Sequence, residues 1–563
     1  MCGIFGCHSQ QSQNLVEQTL QGLKILEYRG YDSAGIAYTI DNQLKVIKSV
    51  GDIDQLKQKV INPPTTTTCI GHTRWATNGT VSVKNSHPHL STDSSIAVVH
   101  NGIIENYQQC VEFLTKHNIK LKTPVDTELI PNILYLLSHN KHNIHQYLQG
   151  QYVFCATDKQ SNSLFLAKKG NLPLYIGRSL QTIYISSDTL ALPQTVTHII
   201  AMEDMETCEV FDHQLQFYNN GQPITKSWQS FNQSFIASDK NGFATYMEKE
   251  INEIPAIMER IINTYQKDST IIRLINQTRT QFKQTKCIHL CACGTSYHAA
   301  LILAKIIERD LHIRAIAHIS SELTTTTLLN EPAIAIVISQ SGETADTLSA
   351  MDILQQHKIP IIAFCNVTTS TIAKRSQTIF PLLCGPEIAV ASTKVFCAAL
   401  LVGCLLIKDY NTISCGNFIK NTTKTLQSAR KILSVPHKIP HQIFIIGKDI
   451  NHVLALEAAL KIKEVTYLHC EGYPANELKH GPLSMVDDNT LSIVFGDDAT
   501  NASAEIQARG GKVITIPTPN YQSDPLAFIH QIIPAQIFAL DLALTLGNNP
   551  DKPRNLAKSV TVL

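Results

Sequence analysis

Apolar residues come in short alternating runs through the first third of the chain. GIFGC, SAGIAYTI, TCIGHTR, SIAVVHNG, YVFCATD, LFLAKK and TIYISSD each predict a strand, with turn residues between them. Two stretches change to the helical period, Leu15 to Tyr28 and Thr127 to Ser138. Together they predict an α+β domain on antiparallel sheets over residues 2–215. From Gln216 to Asn241 the chain turns to Asn, Gln, Ser and Gly without periodicity, which predicts a linker at residues 216–245. Beyond it apolar strands alternate with helices, the pattern of α/β units with parallel sheets.

The α/β part repeats itself. IHLCACGTSYHAALILAKII from Ile288 and IFIIGKDINHVLALEAALKI from Ile443 both read as strand, glycine turn and helix, about 155 residues apart. The next strands match in order, AIVIS with SIVFG and PIIAFCN with KVITIPT. Two tandem copies of one nucleotide-binding-like unit follow, at residues 246–425 and 426–563. The apolar run from Val395 to Ile407 is shorter than the ~20 residues a bilayer requires and predicts a buried helix.

Composition narrows the function classes. A net charge of +1 gives no general attraction to nucleic acid or an anionic membrane. The 15 cysteines lie mostly inside apolar elements and none forms a CxxC pair, so they read as reduced core residues of a cytoplasmic protein, with no structural metal. No signal peptide is visible at the start of the chain.

Candidate chemistry begins at MCGIFG. Trimming of Met1 would leave Cys2 with both a thiol and a free α-amino group, nucleophile and base in one residue. An ordinary apolar residue entering a strand fits the same six letters. In GHTRWATNG, Arg74 sits beside Trp75 between apolar runs, where a carboxylate clamp is reasonable. HNG at His100 to Gly102 offers an Asn amide and a glycine N–H to an oxyanion, or a simple turn. Asp126 stands just ahead of a helix, as an N-cap would.

In order, Cys2 with GIFG, LEYRGYDSAG, GHTRWATNG, HPH, HNGIIENY and DTE resemble class II glutamine amidotransferases across the whole first domain. The resemblance implies an N-terminal-nucleophile fold, an αββα sandwich, in which Cys2 attacks the amide of L-glutamine. It further implies that Arg74 and Asp126 hold the α-carboxylate and α-ammonium, that Thr77 and His87 line the pocket, and that Asn101 and Gly102 form the oxyanion hole. Trp75 would gate the ammonia. Asn78 departs from the family's usual histidine.

In the first repeat, SQSGETADT ends a strand and opens a helix, placing Ser339, Gln340, Ser341 and Thr344 where a phosphate would bind. CGTS, with Thr295 and Ser296, holds the same place after the preceding strand. The matching turn of the second repeat carries Asp497 and Asp498, which would repel a phosphate. Lys461 and Glu464 share a helix face, as a surface ion pair would, His480 lies in a Gly/Pro-bounded loop, and Lys558 sits in the tail.

SQSGETADT, PEIAVASTK, ELKHGP and PRNLAKSVTV resemble the amidotransferases that join a glutaminase to two sugar isomerase domains. Connections near 215–245 and 410–440 look trimmed by comparison, Ala389 replaces a usual glycine, and Leu563 an acidic residue. The resemblance implies synthesis of D-glucosamine 6-phosphate and L-glutamate from D-fructose 6-phosphate and L-glutamine, the first step of hexosamine synthesis, without a cofactor. The sugar phosphate would be held by Thr295, Ser296, Ser339, Gln340, Ser341, Thr344, Ser392 and Lys461. Glu464 would move the proton between C1 and C2, His480 would open the ring from a neighbouring subunit of a homodimer, and Lys558 would form a Schiff base. A purine-pathway amidotransferase would need a phosphoribosyl-pyrophosphate loop, which Val486-Asp487-Asp488 does not continue into. A non-catalytic sugar-phosphate sensor would not require Cys2, Glu464, His480 and Lys558 together.

Overall fold

The computed structural model describes residues 2–75, 80–159, 161–231, 240–328, 331–519 and 524–560. They fall into two compact units, Met1–Ser238 with Ala557–Leu563, and Asp239–Leu556.

In the first unit, β1 (Gly3–Gln13) lies inside an eight-stranded antiparallel sheet, between β2 (Thr66–Arg74) and the strand Thr182–Ser186. Between these two in the chain runs α1 (Leu15–Leu26). A second, seven-stranded antiparallel sheet holds β3 (Ile96–Gly102) against β4 (Tyr152–Asp158), with α2 (Leu129–Leu137) between them in sequence. Strand periodicity sorts the side chains into layers. Ile4, Ile70, Val99 and Val153 share the core between the sheets. Their neighbours face outward, Phe5 and Cys69 onto Leu15 and Leu23 of α1, and Ile96 and Val98 onto Leu129 and Ile133 of α2. Helix, sheet, sheet and helix stack as the αββα arrangement expected.

The stretch expected to be linker begins as folded chain. Gln214–Asn219 and Gln222–Ile224 extend the second sheet, and Gln229–Ser230 pairs with His198–Ile199 at an edge of the first. Only Phe217 of this hairpin is buried in the core, with Leu215 and Ile224 packed at its margin. Edge strands need little apolar surface, so the glutamines and asparagines masked a period of two. A helix at Tyr107–Lys116, with only Cys110 and Leu114 buried, escaped the apolar pattern for the same reason.

In the second unit the first repeat runs β5 (Cys287–Ala292), α3 (Gly294–Leu311), β6 (Arg314–Ile319), β7 (Ala333–Ser339), α4 (Ala345–Gln356), β8 (Ile361–Cys365) and β9 (Thr378–Pro381). Its sheet is parallel, in the order β6-β5-β7-β8-β9. Next come α5 (Lys394–Ile407), buried at every residue as expected, and α6 (Thr412–Ile432). The second repeat runs β10 (Gln442–Gly447), α7 (Ile450–Thr466), β11 (His469–Pro474), β12 (Thr490–Phe495) and β13 (Lys512–Ile516), also parallel, in the order β11-β10-β12-β13. The shared order identifies one topology used twice. In each copy the chain leaves the first strand toward one side and returns on the other, which opens a crevice at the carboxyl ends.

One stretch among the described residues is long and apolar enough to cross a membrane, Ala527–Thr545, and it is 89% buried within the protein. All fifteen cysteines are free, and every one except Cys2 and Cys293 is buried.

Candidate active site

Cys2 stands immediately before β1, half-buried, and β2 ends beside it at Arg74. Its Sγ accepts a hydrogen bond from the Trp75 backbone N–H at 3.3 Å. Burial pushes the thiol pKa up, while the Trp75 N–H and the Arg74 charge pull it the other way. Trp75 meets Tyr31 edge-to-face at 5.6 Å. Asn101, at the end of β3, donates from Nδ2 to the Cys2 carbonyl at 3.0 Å and accepts at Oδ1 from His72 Nε2 at 3.1 Å. Asp126 accepts from the Ile104 N–H at 2.9 Å and Val125 takes the N-cap position, so the N-cap expected of Asp126 is not its role. Thr77 and Asn78 lie outside the described residues.

Gly102 is fixed by geometry. Its φ is +124°, and an added Cβ would lie 2.1 Å from the Gln151 carbonyl oxygen. Gly102→Ala is expected to cost at least about 1–3 kcal/mol from backbone strain, read as a lower urea midpoint. An unchanged midpoint would show that the turn relaxes freely.

Behind Asn101 lies a cluster of buried imidazoles, of which the sequence singled out only His87 as a pocket residue. The His72 and His87 rings sit 4.0 Å apart, and His89 lies 5.1 Å from His87. The Thr127 hydroxyl stands between His87 Nε2 at 2.8 Å and His100 Nδ1 at 2.9 Å, accepting from one ring and donating to the other. His72 Nε2 lies 2.9 Å from the His100 carbonyl, so that nitrogen carries the proton. Burial pushes all four rings below the ordinary imidazole value, His72 and His89 to about 3, with Arg74 adding repulsion at His72, His87 and His89, and Lys48 at His89. Asp126 acts the other way on His100.

The unfolded chain takes up these protons near pH ~6.5 and the folded one only far lower, so stability present above that pH is lost as pH falls from ~6.5 toward ~3. Each ring that stays neutral withdraws about 1.4 kcal/mol per pH unit in that window. Thermal unfolding of the full chain is expected to shift steadily downward from pH 7 to pH 5. A flat profile would remove the cluster from the stability balance.

In the second unit two hydroxyl-rich turns flank the first crevice. After β7, Ser339 Oγ accepts from the Gly342 N–H at 3.0 Å and lies 3.3 Å from Thr344 Oγ1, while Ser341 Oγ accepts from the Glu343 N–H at 3.2 Å. Thr344 occupies the N-cap position of α4 without capping it through its side chain. Gly342 has φ +69°, and a Cβ there would meet Ser370 Oγ at 1.9 Å. Such a turn ahead of a helix N-terminus suits an anion. Gln340 and Ser296 are half-buried at the two turns, and Ser392 is half-buried ahead of α5. Glu387 holds that last loop by accepting from the Thr393 N–H at 2.9 Å.

Thr295, the second residue of α3, donates to Glu457 Oε1 at 3.1 Å. Glu457 is fully buried and also lies 2.7 Å from His298 Nδ1. Lys461 Nζ stands 3.6 Å from Glu457 and 2.6 Å from Glu464. The expected surface pair is therefore a correction. Lys461 is fully buried, because α7 packs this face inside the unit. Burial opposes its charge, but Glu464, Glu457 and Glu387 together raise its pKa, so the ammonium persists. Glu457 was missed, although it sits four residues before Lys461 on the same helical face. Among the described residues no hydrogen bond links the His480 imidazole to this pair, and His480, itself exposed, ends a turn that begins at the buried Leu478. Lys558, half-buried, belongs with the first unit.

Comparison with known proteins adds the following. The SIS domain family matches residues 281–408 and 439–527, and the glutamine amidotransferase domain family matches residues 72–194. Proteins named glutamine–fructose-6-phosphate aminotransferase (isomerizing) match from end to end. The one from Caldanaerobacter subterraneus subsp. tengcongensis is 33% identical over 618 residues, covering 100% of both chains. The chain belongs to the glutamine–fructose-6-phosphate aminotransferase (isomerizing) family. The family member from Campylobacter jejuni is likewise 33% identical over the full length of both chains. Among solved structures, the C-terminal domain of the aminotransferase from Francisella tularensis is 27% identical and covers 56% of this chain, with a TM-score of 0.48. As an aminotransferase of this family the chain unites a glutaminase and a sugar isomerase half. Neither the purine-pathway nor the sensor alternative has support in these matches.

Proposed function

We propose that this protein forms D-glucosamine 6-phosphate and L-glutamate from D-fructose 6-phosphate and L-glutamine, with Cys2 and Glu464 as the reacting residues of its two halves. The observation that carries the reading is Glu464 held 2.6 Å from the buried Lys461 ammonium, seven residues along α7 from Glu457, which accepts from Thr295 at the crevice.

The Cys2 thiolate attacks the side-chain amide of glutamine, its α-amino group taking the thiol proton and passing it to the departing ammonia. Water then cleaves the glutamyl thioester. Arg74 and Asp126 bind the two ends of the amino acid, with Thr77 and His87 along the pocket, while Asn101 and Gly102 steady the oxyanion. Trp75 gates the released ammonia. In the other half, Thr295, Ser296, Ser339, Gln340, Ser341, Thr344 and Ser392 hold the sugar phosphate, and His480 opens the ring. Lys558 forms a Schiff base at C2 as the carbonyl oxygen leaves as water, and ammonia then displaces the lysine amine to give the imine. Glu464 removes a proton from C1 and returns one to C2, converting ketose imine to amino aldose, with the Lys461 charge beside the C1 oxygen. A cytoplasmic homodimer, with His480 supplied by the neighbour, completes the reading.

The test uses untagged protein, following glutamate and glucosamine 6-phosphate in one time course. Equal amounts of both support the proposal. Glutamate without amino sugar overturns the isomerase half of it, and neither product, with sugar phosphate still bound, makes the protein a sensor.

A further inference from the structure

We propose that His72 is a positioning residue for the glutaminase reaction, holding the Asn101 amide with its nitrogen toward Cys2. The inference rests on the reading of Asn101 as an oxyanion donor. An asparagine amide is nearly symmetric in shape, and half a turn exchanges its acceptor oxygen for its donor nitrogen. An oxyanion hole built on such a group needs something that decides which way it faces.

Two backbone carbonyls supply that decision, one at each end of a short chain of hydrogen bonds. At the far end His72 Nε2 lies 2.9 Å from the His100 carbonyl, which can only accept, so the proton sits on Nε2. The same nitrogen lies 3.1 Å from Asn101 Oδ1, and one N–H shared between two acceptors serves both. At the near end Asn101 Nδ2 donates to the Cys2 carbonyl at 3.0 Å. The reversed amide would set Nδ2 against an imidazole N–H and Oδ1 against a carbonyl oxygen. Two hydrogen bonds would become two repulsive contacts. An amide nitrogen carries two protons, and the Cys2 carbonyl takes one of them, which leaves the other for the oxyanion.

The packing around His72 keeps the arrangement in place. The ring is fully buried on β2, two residues before Arg74, and lies against His87 at 4.0 Å. β3 supplies both acceptors, the His100 carbonyl and the side chain of the next residue, so one ring pins two consecutive positions. His72 Nδ1 has no hydrogen-bond partner among the described residues, as suits the ring nitrogen that carries no proton. Burial, with Arg74 and His100 adding repulsion, lowers the pKa to about 3, so above that pH the neutral ring persists. Among the described residues no hydrogen bond joins His72 to Cys2, and its influence on the nucleophile's site runs through Asn101.

Glutamate formation by the full chain, measured beside alkylation of Cys2 by iodoacetamide, tests this. His72→Phe keeps a ring and loses the donor. Its kcat is expected to fall at least about tenfold, part of the about 10²–10³ that an oxyanion donor supplies, with KM for glutamine nearly unchanged. Alkylation passes through no oxyanion, so its rate should stay at the wild-type value. His72→Gln can bring an amide nitrogen to the place of Nε2 and should recover most of the lost rate. His72→Asn reaches only the place of Nδ1 and should not. In an Asn101→Ala background His72→Phe should cost nothing further. A wild-type kcat in His72→Phe, a matching fall in alkylation, or an undiminished loss in the Asn101→Ala background would each overturn the proposal. Should His72→Phe not fold, equal rates in His72→Gln and His72→Asn would overturn it. An Asn101→Ala variant as active as the wild type would overturn the reading of Asn101 itself, a result distinct from all of these.

Discussion

Cys2→Ala is expected to lower glutamine-dependent glutamate formation by at least ~10³-fold, because nothing else in the site can form the thioester. The variant should still make amino sugar from fructose 6-phosphate when ammonium salt is supplied at alkaline pH. That contrast separates loss of the nucleophile from loss of the fold. The Trp75 N–H, which now donates to Sγ at 3.3 Å, loses its acceptor in the variant. A cost of about 1–3 kcal/mol follows wherever water cannot replace it, so a thermal scan belongs beside the assay. Residual glutaminase turnover near the wild-type rate would place the nucleophile elsewhere.

The second large effect is expected at the other half. Glu464→Gln keeps the shape and removes the proton acceptor, and amino-sugar formation should fall by about 10²–10⁴-fold with glutaminase activity retained. Lys461 would still have Glu457 at 3.6 Å, so the variant should fold. Lys461→Met is the instructive companion. It takes the ammonium away from the fully buried Glu457, leaving that carboxylate to Thr295 and His298, and breaking a buried pair from one side costs up to about 3–5 kcal/mol. A large drop in Tm for Lys461→Met, with little change for Glu464→Gln, would divide structural from chemical roles along a single turn of α7. If Glu464→Gln leaves the rate intact, the acid/base assignment fails.

The fold was legible because strand alternation and a repeated strand-turn-helix unit are statements about burial, and burial shaped both halves. Ile4 and Phe5 point to opposite layers as period-two alternation requires. The chemistry was legible only where side-chain identity carries it. Trp75 meets the Cys2 sulfur through a backbone N–H, which every residue but proline possesses, so its letter says nothing of that contact. Thr127 joins His87 to His100, residues 40 and 27 positions away, and no local spacing encodes such a link. Glu457 did leave a trace, standing four and seven residues before Lys461 and Glu464, but a glutamate on a long helix ordinarily reads as solvated. The hairpin of Gln214–Ile224 was hidden by its position at a sheet edge, where polar residues face water and only Phe217 is needed inside.

The distribution of thiols has a practical consequence. Only Cys2 and Cys293 are less than fully enclosed, and they fall one to each half, Cys2 at the glutaminase pocket and Cys293 as the residue before α3, beside Thr295 and Ser296. A slow electrophile should therefore modify the native protein at two addresses and spare the other thirteen. Shielding of one label by glutamine and of the other by fructose 6-phosphate would turn the cysteines into separate occupancy meters. Both substrates could then be followed on one molecule, by mass alone, without any turnover.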